Sequence, residues 1–410
     1  MNLRSLFTLA VKRRLLIASV IAATIVIHSP SQRLQVWNID LPGVYFFRSI
    51  LFFLSIGFLV SFIVKPVIHS IQKSDFSISY GIIAADSLKV FAIVALLVFP
   101  STLGIMGVGY AQMSLAPLSF VDASDQLYQR MLMPAFAYAL HLKGPMLYHF
   151  FSLAITFCTL FLLQIFFMQK KVILTTFEYV SIATSSFIIT QLQSPGYTES
   201  LAYILILLLF VADLEELERA AVFALCIFAH EASVLILLAI SIIFFSKRET
   251  GWIIAISAIY GFVWLASFGF HADRLLSVRT VGSVSTFSWI INYPVREMLG
   301  IIFSFKLLWI FIAVVLFKMR RERMPIMLLV LPGIALTLIA VDTSRMAGFS
   351  FTALIYSILY IKQNNLLSRK QFALVCSLNL CIPAVYVGVN SGIVYFDGLY
   401  QLLQFGTFLK

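Results

Sequence analysis

Arg219-Ala-Ala-Val-Phe-Ala-Leu-Cys-Ile-Phe-Ala-His230-Glu231-Ala-Ser-Val-Leu-Ile-Leu-Leu-Ala-Ile-Ser-Ile-Ile-Phe-Phe-Ser246 is an oily segment with two ionisable residues near its centre. As one helix its 28 residues would rise about 42 Å, more than the ~30 Å of a hydrocarbon core. A single crossing would also put Arg219 and Lys247-Arg248 on opposite sides, although both ends carry the basic flanks of cytoplasmic loops. Two half-helices, 220–229 and 232–246, meeting at His230-Glu231 keep both flanks on one side. Non-helical backbone at membrane depth is tolerated only where it lines a cavity or is buried in protein. The vertex is therefore a candidate site.

The rest of the chain is built in the same way. Of 410 residues, 61% are hydrophobic and 11% charged, with a mean hydropathy of +0.99, which excludes an ordinary soluble domain. Apolar runs predict spans near 15–28, 44–64, 87–106, 146–168, 172–191, 199–212, 251–270, 299–317, 325–341, 347–361 and 371–389. The expected architecture is an all-α transmembrane bundle of about eleven spans plus the broken-helix hairpin. It forms a single integral-membrane domain, 1–410: N-terminal spans to residue 86, a core over 87–361 with an outer-side site, and a last span and outer tail over 362–410.

A net charge of +11 invites a nucleic-acid reading. The Lys and Arg sit instead in short clusters between apolar runs, among them Lys12-Arg13-Arg14, Lys170-Lys171 and Lys318 to Arg323. That is the pattern of cytoplasmic loops, so no nucleic acid is expected. With the N-terminus cytoplasmic and 219–246 a hairpin, most of the 29 Lys and Arg fall on the inner side. The basic, then apolar, N-terminus reads as an uncleaved first helix, since no clear Ala-x-Ala cleavage site precedes Ser29. The four cysteines lie in apolar runs without metal-ligand spacing. Position 234 is Val, so His230-Glu231 is not the zinc motif H-E-x-x-H, and no metal ligands are assigned.

On this topology the outer side comprises 29–43, 107–145, 192–198, 271–298, 342–346 and 390–410. Segments 131–142 and 393–409, too short or too mixed to span, are candidates for surface helices in the interface. Ionisable residues beside or within membrane-length runs are functional candidates by default. Asp122 and Asp125 precede Tyr128 and Arg130; an acid there could act as a general base or simply cap the following helix. Asp342-Thr-Ser-Arg345 joins two apolar runs; Arg345 could fork onto a phosphate or pair with Asp342. Lys306 could assist or snorkel to headgroups. Tyr197 and Glu199, after the Pro195-Gly196 turn, could line a sugar site, or Glu199 could favour its helix's positive end. Glu178, inside a span, is either satisfied locally or the acid of a proton-coupled transporter.

Taken in order, these stretches resemble a known group. An acidic outer loop runs into Tyr128-Gln-Arg130-Met-Leu-Met-Pro134; Pro195-Gly-Tyr-Thr-Glu199 opens a span; Ala229-His-Glu231 breaks a helix; Asp342-Thr-Ser-Arg345 joins late spans. The pattern is similar to that of bacterial polytopic glycosyltransferases of the GT-C superfamily. The resemblance implies a polyprenyl-phosphate-linked sugar donor and transfer to a glycan or protein acceptor outside the bacterial inner membrane. No cofactor is assigned beyond the lipid-linked sugar donor, and a divalent metal is left open. Asp122 or Asp125 would be the catalytic base, and Arg130, His230, Glu231 and Arg345 would contact donor phosphate or sugar. In the family the catalytic Asp usually follows the first span, so Asp40 stays a rival base. A polymerase or ligase of lipid-linked glycans is a near alternative; a transporter or flippase is the rival from another class.

Overall fold

A computed structural model describes residues 3–28, 42–73, 80–99, 101, 103–118, 130–267, 270, 291–338, 342–388 and 392–395. They sort into two units, one of 1–75, 108–151 and 201–278, the other of 76–107, 152–200 and 279–410. Among the described residues the fold is all-α apart from one short hairpin of strands. Among the described residues, five helical stretches are long and apolar enough to cross a membrane: Tyr80–Leu97, Pro145–Gln169, Lys247–Ala266, Pro294–Lys318 and Thr343–Gln363. All but the last, which is 94% buried, turn oily side chains outward, with Leu96 75% and Phe317 80% exposed, which suits lipid rather than water. The chain is a membrane protein on these grounds.

In the first unit, α1 (Leu3–His28), α2 (Pro42–Lys73) and α12 (Lys247–Ser267) surround α10 (Glu216–Ala229). With α11 (Ser233–Phe244), α10 forms the predicted broken helix. At 14 and 12 residues they rise about 21 and 18 Å, and neither alone crosses a bilayer. The chain doubles back between them. The Phe223 and Phe245 rings are 6.1 Å apart, and the Arg219 guanidinium lies 5.1 Å from the Phe245 ring centroid. A straight helix would separate Arg219 and Phe245 by about 39 Å. The two basic flanks thus meet at one end of the unit, and Arg219 also donates to Glu249. Segment 131–142 is helical over most of its length. Its helix α5 (Leu132–Ala139) buries Leu132, Met133, Pro134, Ala135 and Ala137, and it packs on α10.

The second unit contains more interrupted helices than the hydropathy predicts. The expected span 172–191 is two helices, α7 (Thr176–Ala183) and α8 (Ser186–Gln193), because Thr175 builds a capping box and Ser185 stands as an extended N-cap. The span expected at 299–317 is α13 (Pro294–Phe305), a 3-10 turn over Lys306–Leu308, and α14 (Trp309–Lys318). Lys306, at φ 51°, breaks it; a lysine rarely adopts this backbone. The span expected at 371–389 ends early, since α18 (Arg369–Cys381) stops two residues before Pro383. Strands β1 (Val385–Gly388) and β2 (Gly392–Tyr395) then pair antiparallel, so the start of the expected surface helix 393–409 is strand; 396–410 lie outside the described residues. The core of the unit is α16 (Thr343–Ala347), a 3-10 turn, and α17 (Phe351–Gln363), 94% buried over its apolar window. The expected outer loop 342–346 is thus mostly the first turn of this helix, with Asp342 at its N-cap position.

Candidate functional site

Each unit holds one cluster built from the singled-out residues. In the first, α10 ends where His230 turns extended, at φ −158° and ψ 116°. The Ser233 hydroxyl closes the break by donating to the carbonyls of Cys226 and His230. The backbone N–H of Ala232 donates to His230 Nδ1 at 3.2 Å. The break tips Glu231 outward to Arg130, just before α5. Arg130 Nε donates to Oε2 at 2.9 Å and Nη2 to Oε1 at 2.6 Å, a bidentate pair with both side chains mostly buried. Residues 101 apart in sequence are thereby locked together. Next to this break, Phe228 contacts Tyr260, which meets His28 edge-on at 4.7 Å, and Arg48 donates to the Val26 carbonyl. Arg48 and His28 are buried polar residues that hydropathy reading passes over, because each sits singly at the edge of a span.

In the second unit every side chain of Asp342-Thr-Ser-Arg345 is used. Arg345 Nη2 lies 2.7 Å from Asp342 Oδ2, and Nε lies 2.9 Å from Oε1 of the fully buried Glu199, the first residue of α9 (Glu199–Val211). The guanidinium also lies over the Tyr197 ring, 4.2 Å from its centroid. Thr343 donates to Glu297 of α13 at 2.5 Å, and Ser344 Oγ accepts from the Val387 N–H of β1 at 3.0 Å. Tyr386 donates to Asp342 Oδ1 at 2.5 Å. Burial pushes the Tyr197 and Tyr386 phenols above their ordinary range, so both remain hydrogen-bond donors at neutral pH. Asp342, 28% exposed at its side chain, is the accessible carboxylate of the cluster. Arg345 Nη1 has no hydrogen-bond partner among the described residues. Sequence reading missed Tyr386 and Glu297. Tyr386 lay within a run taken for a span, and Pro383 was the available signal against it.

The turn that delivers Tyr197 depends on two glycines. Gly196, at φ 101°, needs a conformation other residues avoid, and it rests against Gly107 of α4 (Ile105–Met113). A Cβ on Gly107 would lie 2.6 Å from the Pro195 carbonyl oxygen, a backbone atom. Gly107→Ala should therefore cost about 1–3 kcal/mol and displace Tyr197. A thermal melt in detergent, unchanged from wild type, would contradict this close approach.

Two expectations resolve structurally. Lys306 does not snorkel: it is buried, and Nζ donates to Thr184 Oγ1 at 3.2 Å and the Ile382 carbonyl at 3.1 Å. With Asn379, which also donates to Thr184 and Ser181, it ties the break in α13–α14 to the breaks in α7–α8 and after α18. Glu178 completes the Thr175 capping box and takes a 2.7 Å ion pair from Lys362. That accounts for it without proton transport. Asp122, Asp125, Tyr128 and Asp40 lie outside the described residues. Among the described residues no three His, Cys, Asp or Glu side chains gather as a metal site. Comparison with protein-family models, curated proteins and solved structures finds no match to this chain.

Proposed function

We propose that the chain is a GT-C-type membrane glycosyltransferase that moves a sugar or glycan from a polyprenyl-phosphate carrier to an acceptor outside the cytoplasmic membrane. One observation carries this reading. The four stretches behind the resemblance pair two by two: Tyr-x-Arg with His-Glu through Arg130–Glu231, and Pro-Gly-Tyr-Thr-Glu with Asp-Thr-Ser-Arg through Glu199–Arg345. Motifs scattered over the chain have no reason to meet in this way if each is a local cap or a solvated charge. Around Arg345, carboxylates outnumber the cation among the contacts named, and two phenols stand beside them. That chemistry suits the hydroxyls of a sugar better than a bare phosphate. Asp122 or Asp125 would take the acceptor's proton as the carrier phosphate leaves. Eleven crossings, residence in a bacterial inner membrane and a cytoplasmic N-terminus belong to the same proposal.

Transfer of labelled hexose from polyprenyl-phosphate hexoses to membrane acceptors tests it. Glu231→Gln and Arg130→Gln should each lose most transfer, and the charge-swapped double variant Arg130→Glu/Glu231→Arg should stay inactive while regaining thermal stability. Restored transfer in the swap would make the pair a structural clamp, and wild-type membranes inert with every carrier sugar would overturn the assignment. Orientation is read separately, from cysteines placed at Ser124 and Ser283. Impermeant maleimide should label both in intact cells; labelling only after permeabilisation would invert the topology.

A further inference from the structure

A cavity of about 230 Å³ opens in the second unit between α3 (Tyr80–Leu97), α6 (Pro145–Gln169) and the connection to α7. Its walls include Ile83, Phe167, Met168, Val172, Ile173 and Leu174. The polar groups that reach it are engaged elsewhere. Gln164 accepts from Ser87 at 2.6 Å, Tyr179 donates to the Leu160 carbonyl, and Asp86 pairs with Lys89 at 3.0 Å. What the cavity offers a ligand is hydrocarbon contact. Its volume falls below the ~300–1,000 Å³ of sites for compact drug-sized ligands, and a single linear chain fits it better than a sugar or a ring.

The mouth shows what that chain carries. Ile82 is 58% and Ile173 82% exposed, and these side chains belong in lipid. Immediately before Val172 stand Lys170 and Lys171, both exposed, with Lys171 at φ 58° where the chain turns out of α6. An oily slot at a lysine-rich helix end matches the two parts of an anionic lipid. We propose that this cavity holds one acyl chain of an anionic membrane phospholipid, with its phosphate against Lys170 and Lys171. The site uses none of the residues assigned to sugar transfer and does not depend on that assignment.

The full-length protein in nanodiscs provides the test, with phosphatidylglycerol brominated on its acyl chains as the quencher. Tryptophan is introduced at Ile173, on the cavity wall, or at Ile254, an exposed position on α12 that reports general lipid contact; the parent's own fluorescence is subtracted. Ile173→Trp should reach half-maximal quenching at a markedly lower mole fraction of brominated phosphatidylglycerol than Ile254→Trp. Lys170→Gln/Lys171→Gln should remove that difference, each lysine contributing about fivefold in lipid affinity. Ile82→Trp, on the facing helix, gives the same reading if Ile173→Trp does not fold. Equal quenching at the cavity and at Ile254, or equal quenching by brominated phosphatidylcholine, would mean ordinary boundary lipid and overturn the site.

Discussion

Arg345→Ala is expected to be among the most destabilising single substitutions in this chain. Glu199 has no exposed surface, and Arg345 Nε lies 2.9 Å from its carboxylate. Removing one partner of a buried ion pair costs about 3–5 kcal/mol, because the charge left behind has lost its compensation. The measurement is a thermal melt in detergent, followed by the double variant Arg345→Ala/Glu199→Gln. Neutralising Glu199 should recover a large part of the loss, since an amide is cheaper to bury than a carboxylate. Arg345→Lys should recover less, because an ammonium cannot fork between Asp342 and Glu199 while stacking on Tyr197. A melt of Arg345→Ala indistinguishable from wild type would show that the cluster does not hold the second unit together. Transfer should fall as well, in affinity and turnover together, because contacts made in ground and transition state alike act on both.

Asp122→Asn/Asp125→Asn is expected to produce the largest catalytic defect. If one of these acids accepts the proton of the acceptor hydroxyl, its loss should slow transfer by about 10²–10⁴-fold. Folding and binding of the lipid carrier should be unchanged, so single-turnover transfer with saturating carrier separates this defect from that of Arg345→Ala. Asp40→Asn should change little. Full activity in the double Asn variant would remove both residues from the chemistry, and a defect confined to Asp40→Asn would move the base to the first outer loop.

Much of the candidate site was legible one residue at a time. An ionisable group in or beside an oily run is costly, so Arg130, His230, Glu231, Asp342 and Arg345 stood out from composition alone. Their partners did not. Nothing local says that Glu231 takes Arg130 rather than His230, or that Arg345 divides itself between Asp342 and Glu199. Tyr386 and Glu297 entered the cluster only through strand β1 and helix α13 packing against α16.

The amino-acid sequence by itself determined the membrane character, the all-α class and the reversal at His230-Glu231. Each rests on a one-dimensional quantity: apolar run length against bilayer thickness, and the alternation of basic flanks. Tertiary structure decided where the other oily runs break, at Ser185 and Lys306, while the break at Cys381 had a local signal in Pro383. Hydropathy cannot register these interruptions, because Ser, Thr and Asn side chains and one buried lysine satisfy the freed backbone and polar groups from other helices. An apolar stretch keeps the same average whether it runs straight or stops midway, and only the partner across the gap makes the break affordable.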